Sequence, residues 1–341
     1  ALKQMVKSGR IGQSFLFSGQ EGIGKSLFAQ ALAKELICIN DSTGNHAGKL
    51  SRGVHPDLHH LRTEGKVGMH SIEALRRFQD EIHMPPYEAP WKVFIVHEAD
   101  RMLPTSANAL LKSFEEPPNH TVIILLSSSP EEILGTILSR CNKIYFQPLT
   151  KEEIFCYLVK KGITEEKAQR AARRAEGSLA HAMTLCEEKQ SYLDELLCYL
   201  SKQDKNYLLL KAISSSLGEQ FDSLRKSLEE ETERMYSPEF MKSLPAAQRE
   251  IYEKEIQGAV SLRFHREVRD LFNGLLGWFR DALVQNKESL YFPEYRSRTS
   301  LKVEQFLKIQ KAVEEALLSV ERFMPLSFVL ESLLIKIQLH L

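Results

Sequence analysis

The chain has 341 residues, more than one average domain, which predicts two or three domains. Its apolar fraction of 43% and charged fraction of 26% are those of an ordinary globular protein. Because 45 Lys and Arg residues balance 45 Asp and Glu residues, the composition excludes the basic excess of a dedicated DNA-binding domain. Five scattered cysteines without C-x-x-C pairs are typical of a reduced, cytoplasmic protein. No apolar run approaches membrane-spanning length and no secretory signal is visible, so we expect no membrane association.

The first predicted elements are a short strand, a glycine-rich loop and a helix. The apolar run 15–17 predicts a buried strand, and residues 27–36 predict an amphipathic helix. The apolar face expected for that helix consists of Leu27, Phe28, Ala31, Leu32 and Leu36. Between the strand and the helix, residues 19–26 match the phosphate-binding loop pattern G-x-x-x-x-G-K-S/T in the structural context that the pattern requires.

This loop carries the groups that hold the phosphates of a nucleotide. Gly19, Gly22 and Gly24 let the backbone curl so that its N–H groups converge on phosphate oxygens, and the helix N-terminus adds partial positive charge. Lys25 can reach the outer phosphates, and the Ser26 hydroxyl can hold Mg²⁺. The sequence therefore predicts a candidate site for ATP or ADP with Mg²⁺.

Further strands alternate with helices along the first part of the chain. Residues 93–96 and 122–126 are short, continuously apolar runs, which are typical of strands buried on both faces. Residues 143–146 predict another strand, and a helix over 106–114 is stopped by a Pro-Pro pair. These elements predict an α/β domain over 1–149, with a parallel sheet that helices cover on both faces.

Strand patterns disappear after this domain, and two helical regions follow. Thr150 and Glu153 form a capping box that opens a helix, and the helices that continue from it predict a small helical domain over 150–205. Residues 206–341 carry apolar residues at helical spacing, which predicts a second all-helical domain. Within it, we expect the highly charged residues 229–254 to form a solvated, partly irregular excursion.

A nucleotide site usually includes an acidic residue at the end of another strand. Residues 94–100 resemble the D-E-A-D/H form of the Walker B motif, but His97 stands where the metal-holding Asp belongs. Glu98 occupies the position of the carboxylate that activates water. A neutral imidazole is a poor substitute for a carboxylate as an Mg²⁺ ligand, which predicts a weakened site.

Two further segments resemble the signatures of one protein family. Residues 108–118 resemble the N-A-L-L-K-x-L-E-E-P-P signature of DNA polymerase clamp loaders, and residues 136–141 match the T-I-x-S-R-C signature of the same family. The His-Pro-Asp tripeptide at 55–57 adds to the resemblance, which covers the first half of the chain well. Within the bacterial DNA polymerase III clamp loaders, the chain resembles the delta-prime class of subunits.

This resemblance implies a three-domain AAA+ subunit with a nucleotide-binding fold, a helical lid and a helical collar that joins subunits. It also implies that Arg140 is an arginine finger for a neighbouring motor subunit, a group that accelerates phosphoryl transfer by roughly 10³- to 10⁵-fold. The planar, permanently charged guanidinium suits that task. The alternative for Arg140 is a solvated arginine at a strand end.

Departures from the family pattern concern the chain's own nucleotide site. In motor subunits the lid carries an arginine that touches the nucleotide, and Ala180 stands at that place here. Together with His97, this predicts weak or absent ATP hydrolysis by the chain itself, which would make Glu98 vestigial. The family's sensor residue falls on Ser127 or Ser128, and the sequence leaves that choice open.

No metal-ligating set is expected from the sequence. Many relatives carry a four-cysteine zinc module after the first helix, but here Cys38 is the only cysteine in that region. The histidines near it, which lack a recognised ligand spacing, are His46, His55, His59 and His60. Zinc is therefore not expected.

These features favour a clamp-loader stator that supplies Arg140 in trans during DNA replication. The implied partners are gamma/tau and delta-like subunits in a hetero-oligomer. The sliding clamp and primed DNA are contacted through this complex. The complex is part of a DNA polymerase holoenzyme, which is a nucleotidyltransferase. One alternative is an ATP-hydrolysing gamma/tau-like motor, which the intact loop favours and His97 and Ala180 disfavour. Another is a free-standing P-loop enzyme, which the helical last third of the chain disfavours.

Overall fold

The chain folds into two compact units, residues 1–186 and 187–341, each with a hydrophobic core of its own. The computed structural model describes residues 12–39, 41, 44–186, 192–201, 206–234, 241, 245–284, 290–292 and 301–340. None of the helices in this described part combines the length and the apolar character that crossing a membrane requires.

The first unit is built on a five-stranded sheet in the order β2-β3-β4-β1-β5, and all four neighbouring pairs are parallel. The strands are β1 (Ser14–Ser18), β2 (Leu58–Leu61), β3 (Lys92–Val96), β4 (Thr121–Ser127) and β5 (Asn142–Tyr145). The strands expected from their apolar runs are therefore present, and β2 follows the His-Pro-Asp tripeptide. Because the strands are parallel, the segments that follow β1, β3 and β4 meet at one edge of the sheet.

Helices cover both faces of this sheet. The helices of this part are α1 (Lys25–Ile37), α2 (Asn45–Ser51), α3 (Ile72–Ile82), α4 (Pro104–Ala107), α5 (Leu111–Glu115) and α6 (Gly135–Leu138), with 3₁₀ turns at Ala99–Arg101, Asn108–Leu110 and Pro130–Glu132. In β3, Val93 and Ile95 pack on the α1 side, while Phe94 and Val96 pack on the α3 side. This alternation places a core on each face and confirms the predicted α/β class.

Two helix predictions differ from the structure. The helix expected over 106–114 is divided into α4, a 3₁₀ turn and α5. The expected apolar face of α1 was wrong in part, because Leu27 and Phe28 are 69% and 56% exposed and Ala31 is exposed as well. The residues of α1 that are buried against the sheet are Ala29, Leu32, Ala33, Leu36 and Ile37. Small alanines in that face let the helix lie close to the strands.

Three short helices with a small core of their own follow the sheet. They are α7 (Lys151–Lys160), α8 (Glu165–Arg174) and α9 (Leu179–Cys186). The predicted capping box is present, since the Thr150 hydroxyl accepts the Glu153 N–H while the Glu153 carboxylate accepts the Thr150 N–H. Gly177, at φ 88, ends the turn before α9. These helices belong to the first compact unit, and the domain boundaries at 149/150 and 205/206 remain predictions.

The second unit is helical throughout its described residues. Its helices are α10 (Tyr192–Ser201), α11 (Tyr207–Arg234), α12 (Ala246–Leu283), α13 (Val303–Glu321) and α14 (Leu326–His340), which share one core. The charged stretch 229–254 was expected to be partly irregular. Residues 229–234 lie in α11 and 246–254 lie in α12, while 235–240 and 242–244 lie outside the described residues. Exposed ion pairs at i,i+4 spacing support helix there, Glu230 with Arg234 and Glu250 with Lys254.

Candidate functional site

The glycine-rich loop joins β1 to α1, as its pattern predicts. Gly19 has a φ of 149°, and a Cβ atom there would lie 2.5 Å from the Phe146 carbonyl oxygen. Gly22 has a φ of 75°, in the left-handed region that side chains disfavour. Glycine is therefore required at both positions, one for close approach to another segment and one for the turn itself.

Lys25 and Ser26 open α1 at the end of this loop. The Lys25 ammonium donates to the carbonyl oxygens of Gly19 and Gln20, at 2.6 and 2.9 Å. A Cβ atom on Gly24 would meet nothing within 4 Å, so the space beside the helix N-terminus is open. A helix N-terminus, an ammonium group and a hydroxyl in one place form a donor set that fits phosphate oxygens. A phosphate would compete with the two carbonyls for Lys25.

The start of α9 lies against the loop. The Ala180 N–H donates to the Gly22 carbonyl oxygen at 3.1 Å. A Cβ atom on Gly22 would lie 2.3 Å from the Ser178 hydroxyl and 2.9 Å from the Ala180 methyl group. The structure thus places Ala180 beside the phosphate loop, where its methyl group offers no charge to an anion.

His97 follows β3 and is 6% exposed. Its Nε2 atom lies 3.0 Å from Nδ1 of His60, which is on β2. Burial, with a smaller contribution from Arg62, lowers the pKa of His97 to about 2 and that of His60 to about 4. Both imidazoles are therefore neutral at pH 7, and one donates to the other. A nitrogen held in this way does not fit the oxygen-rich coordination that Mg²⁺ requires.

Glu98 occupies a strained backbone position next to His97. Its φ of 44° and ψ of 54° lie in the left-handed region, which is uncommon for glutamate. The buried His70 stabilises this turn, because its Nε2 lies 2.8 Å from the carbonyl oxygen of His97 and 3.2 Å from that of Glu98. The sequence indicated Glu98 but not His70, which is 27 residues away from His97.

The two candidate sensor positions, Ser127 and Ser128, lie at the end of β4. Ser127 is buried and its hydroxyl donates to Asp100 Oδ1 at 2.5 Å, whereas Ser128 is exposed. The Ser128 N–H points to the same carboxylate oxygen at 3.3 Å. Asp100 therefore joins the segments after β3 and β4, a role that the sequence did not assign to it.

Arg140 lies just after α6, between two residues that are packed in the core. Ile137 is buried, and Cys141 is packed so closely that burial raises the pKa of its thiol to about 12. Arg140 itself is exposed, with 35% of its side-chain surface accessible. Its Nη1 donates to the Thr136 carbonyl oxygen at 2.7 Å, and its Nη2 pairs with Glu115 Oε1 at 2.6 Å. The two signature segments therefore meet at this ion pair.

Asp57, from the His-Pro-Asp tripeptide, organises the loop before β3. Its carboxylate accepts the backbone N–H groups of Tyr87, Glu88 and Ala89, at 2.5, 2.9 and 2.8 Å. Burial opposes the ionisation of Asp57, but these hydrogen bonds and nearby His55 outweigh it and lower the carboxyl pKa. This part of the family resemblance therefore has a structural role.

One cluster of possible metal ligands is formed by His46, His55 and Glu88, whose ligand atoms lie within 4.8 Å of one another. The Asp57 N–H donates to His55 Nδ1, so neutral His55 carries its proton on Nε2, which lies 2.9 Å from His46 Nδ1. The Lys49 ammonium contacts both Glu88 oxygens. Hydrogen bonds therefore account for this cluster, and its tautomer does not fit a metal. The absence of zinc remains an expectation.

Comparisons with known proteins find subunits of DNA polymerase III among the proteins that this chain is similar to. Residues 1–150 match the family described as DNA polymerase III, delta subunit. The chain is 31% identical over 190 residues to DNA polymerase III subunit delta' of Bacillus subtilis, a match over 54% of this chain and 56% of that relative. It is 28% identical over 334 residues to a subunit gamma of Buchnera aphidicola subsp. Baizongia pistaciae, with 87% of each covered.

A solved structure covers the whole chain. It is that of a DNA polymerase III gamma subunit-related protein from Thermotoga maritima, which aligns with 100% of this chain and 99% of its own at 18% identity and a TM-score of 0.46. Against the delta' relative, by contrast, the chain spans only a little more than half of that protein's length.

Proposed function

Because the chain belongs to the DNA polymerase III clamp-loader family of AAA+ proteins, we propose that it is a delta-prime-like stator subunit. In this role it assembles with gamma/tau and delta-like subunits in the cytoplasm and donates Arg140 to the nucleotide site of a neighbour. The complex then places the sliding clamp on primed DNA. Residues 1–149, 150–205 and 206–341 would serve as nucleotide fold, lid and collar.

The observation that carries this proposal is the placement of Arg140. Ile137 and Cys141 anchor the segment in the core, so the exposed guanidinium is presented from a rigid base. A guanidinium offers a planar set of donors that matches phosphate oxygens and remains charged at any physiological pH. Such a group stabilises negative charge that develops on a phosphoryl group during hydrolysis.

The chain's own loop suits nucleotide binding better than hydrolysis. Lys25, Ser26 and the N-terminus of α1 would hold the phosphates of ATP or ADP, and bound Mg²⁺ would supply neutralising charge there. The neutral His97 and the methyl group of Ala180 stand where the family pattern has a metal-holding carboxylate and an arginine. We therefore propose that this site binds nucleotide but hydrolyses it weakly or not at all.

The second candidate is a gamma/tau-like motor subunit. The intact loop favours it, as does the gamma relative, which is matched over most of its length. The two roles differ in whether the isolated chain hydrolyses ATP with the help of Lys25. A motor would hydrolyse ATP as an isolated protein, and the Lys25→Ala variant would lose that activity. A stator would show no Lys25-dependent turnover by itself.

Arg140→Ala in the reconstituted clamp-loader complex tests the stator role directly. We expect the variant to fold and assemble, while turnover at the site that it serves falls by roughly 10³-fold or more. Arg76→Ala is the matched control, since Arg76 is an exposed arginine on α3 of the same unit. If both variants retain the ATPase rate of the unaltered complex, Arg140 is not an arginine finger.

A further inference from the structure

The partner of Arg140 within its own chain is Glu115, the last residue of α5. The two side chains form an ion pair of 2.6 Å, and each remains partly exposed, at 35% and 45% of its side-chain surface. The residues are 25 positions apart and belong to different signature segments. We propose that Glu115 is a positioning residue for Arg140, an inference that rests on the function proposed above.

The contacts of Arg140 show how such positioning would work. Nη1 donates to the Thr136 carbonyl oxygen at 2.7 Å and lies 3.3 Å from the Ser139 hydroxyl, while Nη2 donates to Glu115. Within the described part of the chain, Nε makes no hydrogen bond, so one side of the guanidinium remains available to an incoming phosphate. Glu115 fixes the direction of the group without using all of its donors.

The ion pair is strong enough to orient Arg140 but too weak to keep it from binding a phosphate. An exposed ion pair changes an equilibrium by at most about fivefold, far less than a guanidinium gains from a phosphate in a site closed to water. Arginine, however, loses rotamer entropy when it is immobilised. The ion pair with Glu115 offsets part of this entropy loss before the subunits meet. Arg140 can still exchange Glu115 for the phosphate.

The neighbouring Glu116 provides a matched control. It has the same charge and follows Glu115 directly, it is exposed, and no side-chain hydrogen bond or ion pair of it is seen in the described residues. Removal of either glutamate changes the net charge of the surface equally. A difference between the two variants therefore reports on the contact with Arg140 and not on charge.

The test uses the reconstituted complex with Glu115→Ala, Glu116→Ala and Glu115→Gln, each with and without Arg140→Ala. We expect Glu115→Ala to lower kcat for ATP about two- to fivefold, the range that an exposed ion pair allows, at unchanged KM. Glu116→Ala should have no effect. Glu115→Gln keeps an oxygen acceptor and should recover part of the loss. In the Arg140→Ala background, Glu115→Ala should cause no further loss, because the group that it positions is gone.

The outcomes separate the inference from the function on which it rests. If Arg140→Ala leaves turnover unchanged, the proposed function fails and the positioning role fails with it. If Arg140→Ala lowers turnover but Glu115→Ala matches Glu116→Ala, only the positioning role is overturned. An equal loss from Glu115→Ala in both backgrounds would also overturn it, since a structural defect alone has that effect. Gel filtration and thermal melting verify assembly, and Glu115→Gln provides the test if the alanine variant does not assemble.

Discussion

At the scale of single residues, His97 is a neutral side chain at the position where the family pattern has a metal-holding carboxylate. It is buried, its pKa is held at about 2 by burial, and its Nε2 is engaged with His60. This contact joins β2 to the segment that follows β3. A carboxylate at the same place would instead offer the hard oxygen that Mg²⁺ prefers.

We therefore expect His97→Asp to strengthen the Mg²⁺ dependence of nucleotide binding. The added carboxylate ligand should make Mg²⁺ raise ATP affinity by about tenfold, which is 1.4 kcal/mol. Titration of the purified chain with a fluorescent ATP analogue, with and without Mg²⁺, measures the effect. His83→Asp, at an exposed histidine after α3, is the control and should resemble the unaltered chain. Identical Mg²⁺ responses of the two variants would show that His97 does not limit the site.

At the scale of elements, Asp57 ties the loop after α3 to the start of β2. We expect Asp57→Asn to lower the free energy of unfolding by about 1–3 kcal/mol at pH 7, because its amide NH₂ would face backbone N–H donors. Asp80→Asn, at an exposed aspartate on α3, should change it little. Denaturant unfolding of both variants provides the comparison, and equal stability of the two would contradict this role of Asp57.

Because Asp57 titrates, we expect its contribution to the free energy of unfolding to depend on pH. The pKa of Asp57 is lower in the folded chain than its ordinary value, so its stabilising effect is fully present above that ordinary value, about 4. It is lost as the pH falls through the folded pKa. The difference in free energy of unfolding between the unaltered chain and Asp57→Asn should therefore decrease as the pH falls below about 4 and stay constant above it.

Helices and strands were predictable where the pattern of apolar residues fits a single kind of element. Continuous apolar runs indicated β1, β3 and β4, because strands that are covered on both faces tolerate no polar alternation. Helix α1 was less predictable, since it carries apolar residues on both sides and its core face includes Ala29 and Ala33. Periodicity alone cannot show which side meets the sheet when large side chains such as Phe28 remain exposed.

The site was predictable only within continuous segments. The loop from Gly19 to Ser26 and the departure at His97 are visible in the sequence because each is local. His60 lies 37 residues from His97, and Glu115 lies 25 residues from Arg140. Such contacts depend on sheet register and on helix packing, which a single sequence does not specify. For this reason the His60–His97 and Glu115–Arg140 contacts emerged only from the structure.

At the scale of the whole molecule, the chain offers one tryptophan for each compact unit. Trp91 packs half-buried beside the core around α1, and Trp278 is buried in the core of the helical unit. Each unit has its own hydrophobic core, which is the condition for separate cooperative transitions. Tryptophan fluorescence can therefore follow each unit if the other tryptophan is replaced.

We expect the Trp278→Phe and Trp91→Phe variants to give denaturant transitions that do not coincide, because each reports on a different core. Leu334→Ala, which removes a fully buried side chain of α14, should destabilise the helical unit by about 2–5 kcal/mol and shift only the Trp278 signal. Asp57→Asn is the reciprocal control and should shift only the Trp91 signal. If either substitution moved both signals together, the two cores would unfold as one cooperative body, and the division of the chain into independently stable units would be wrong.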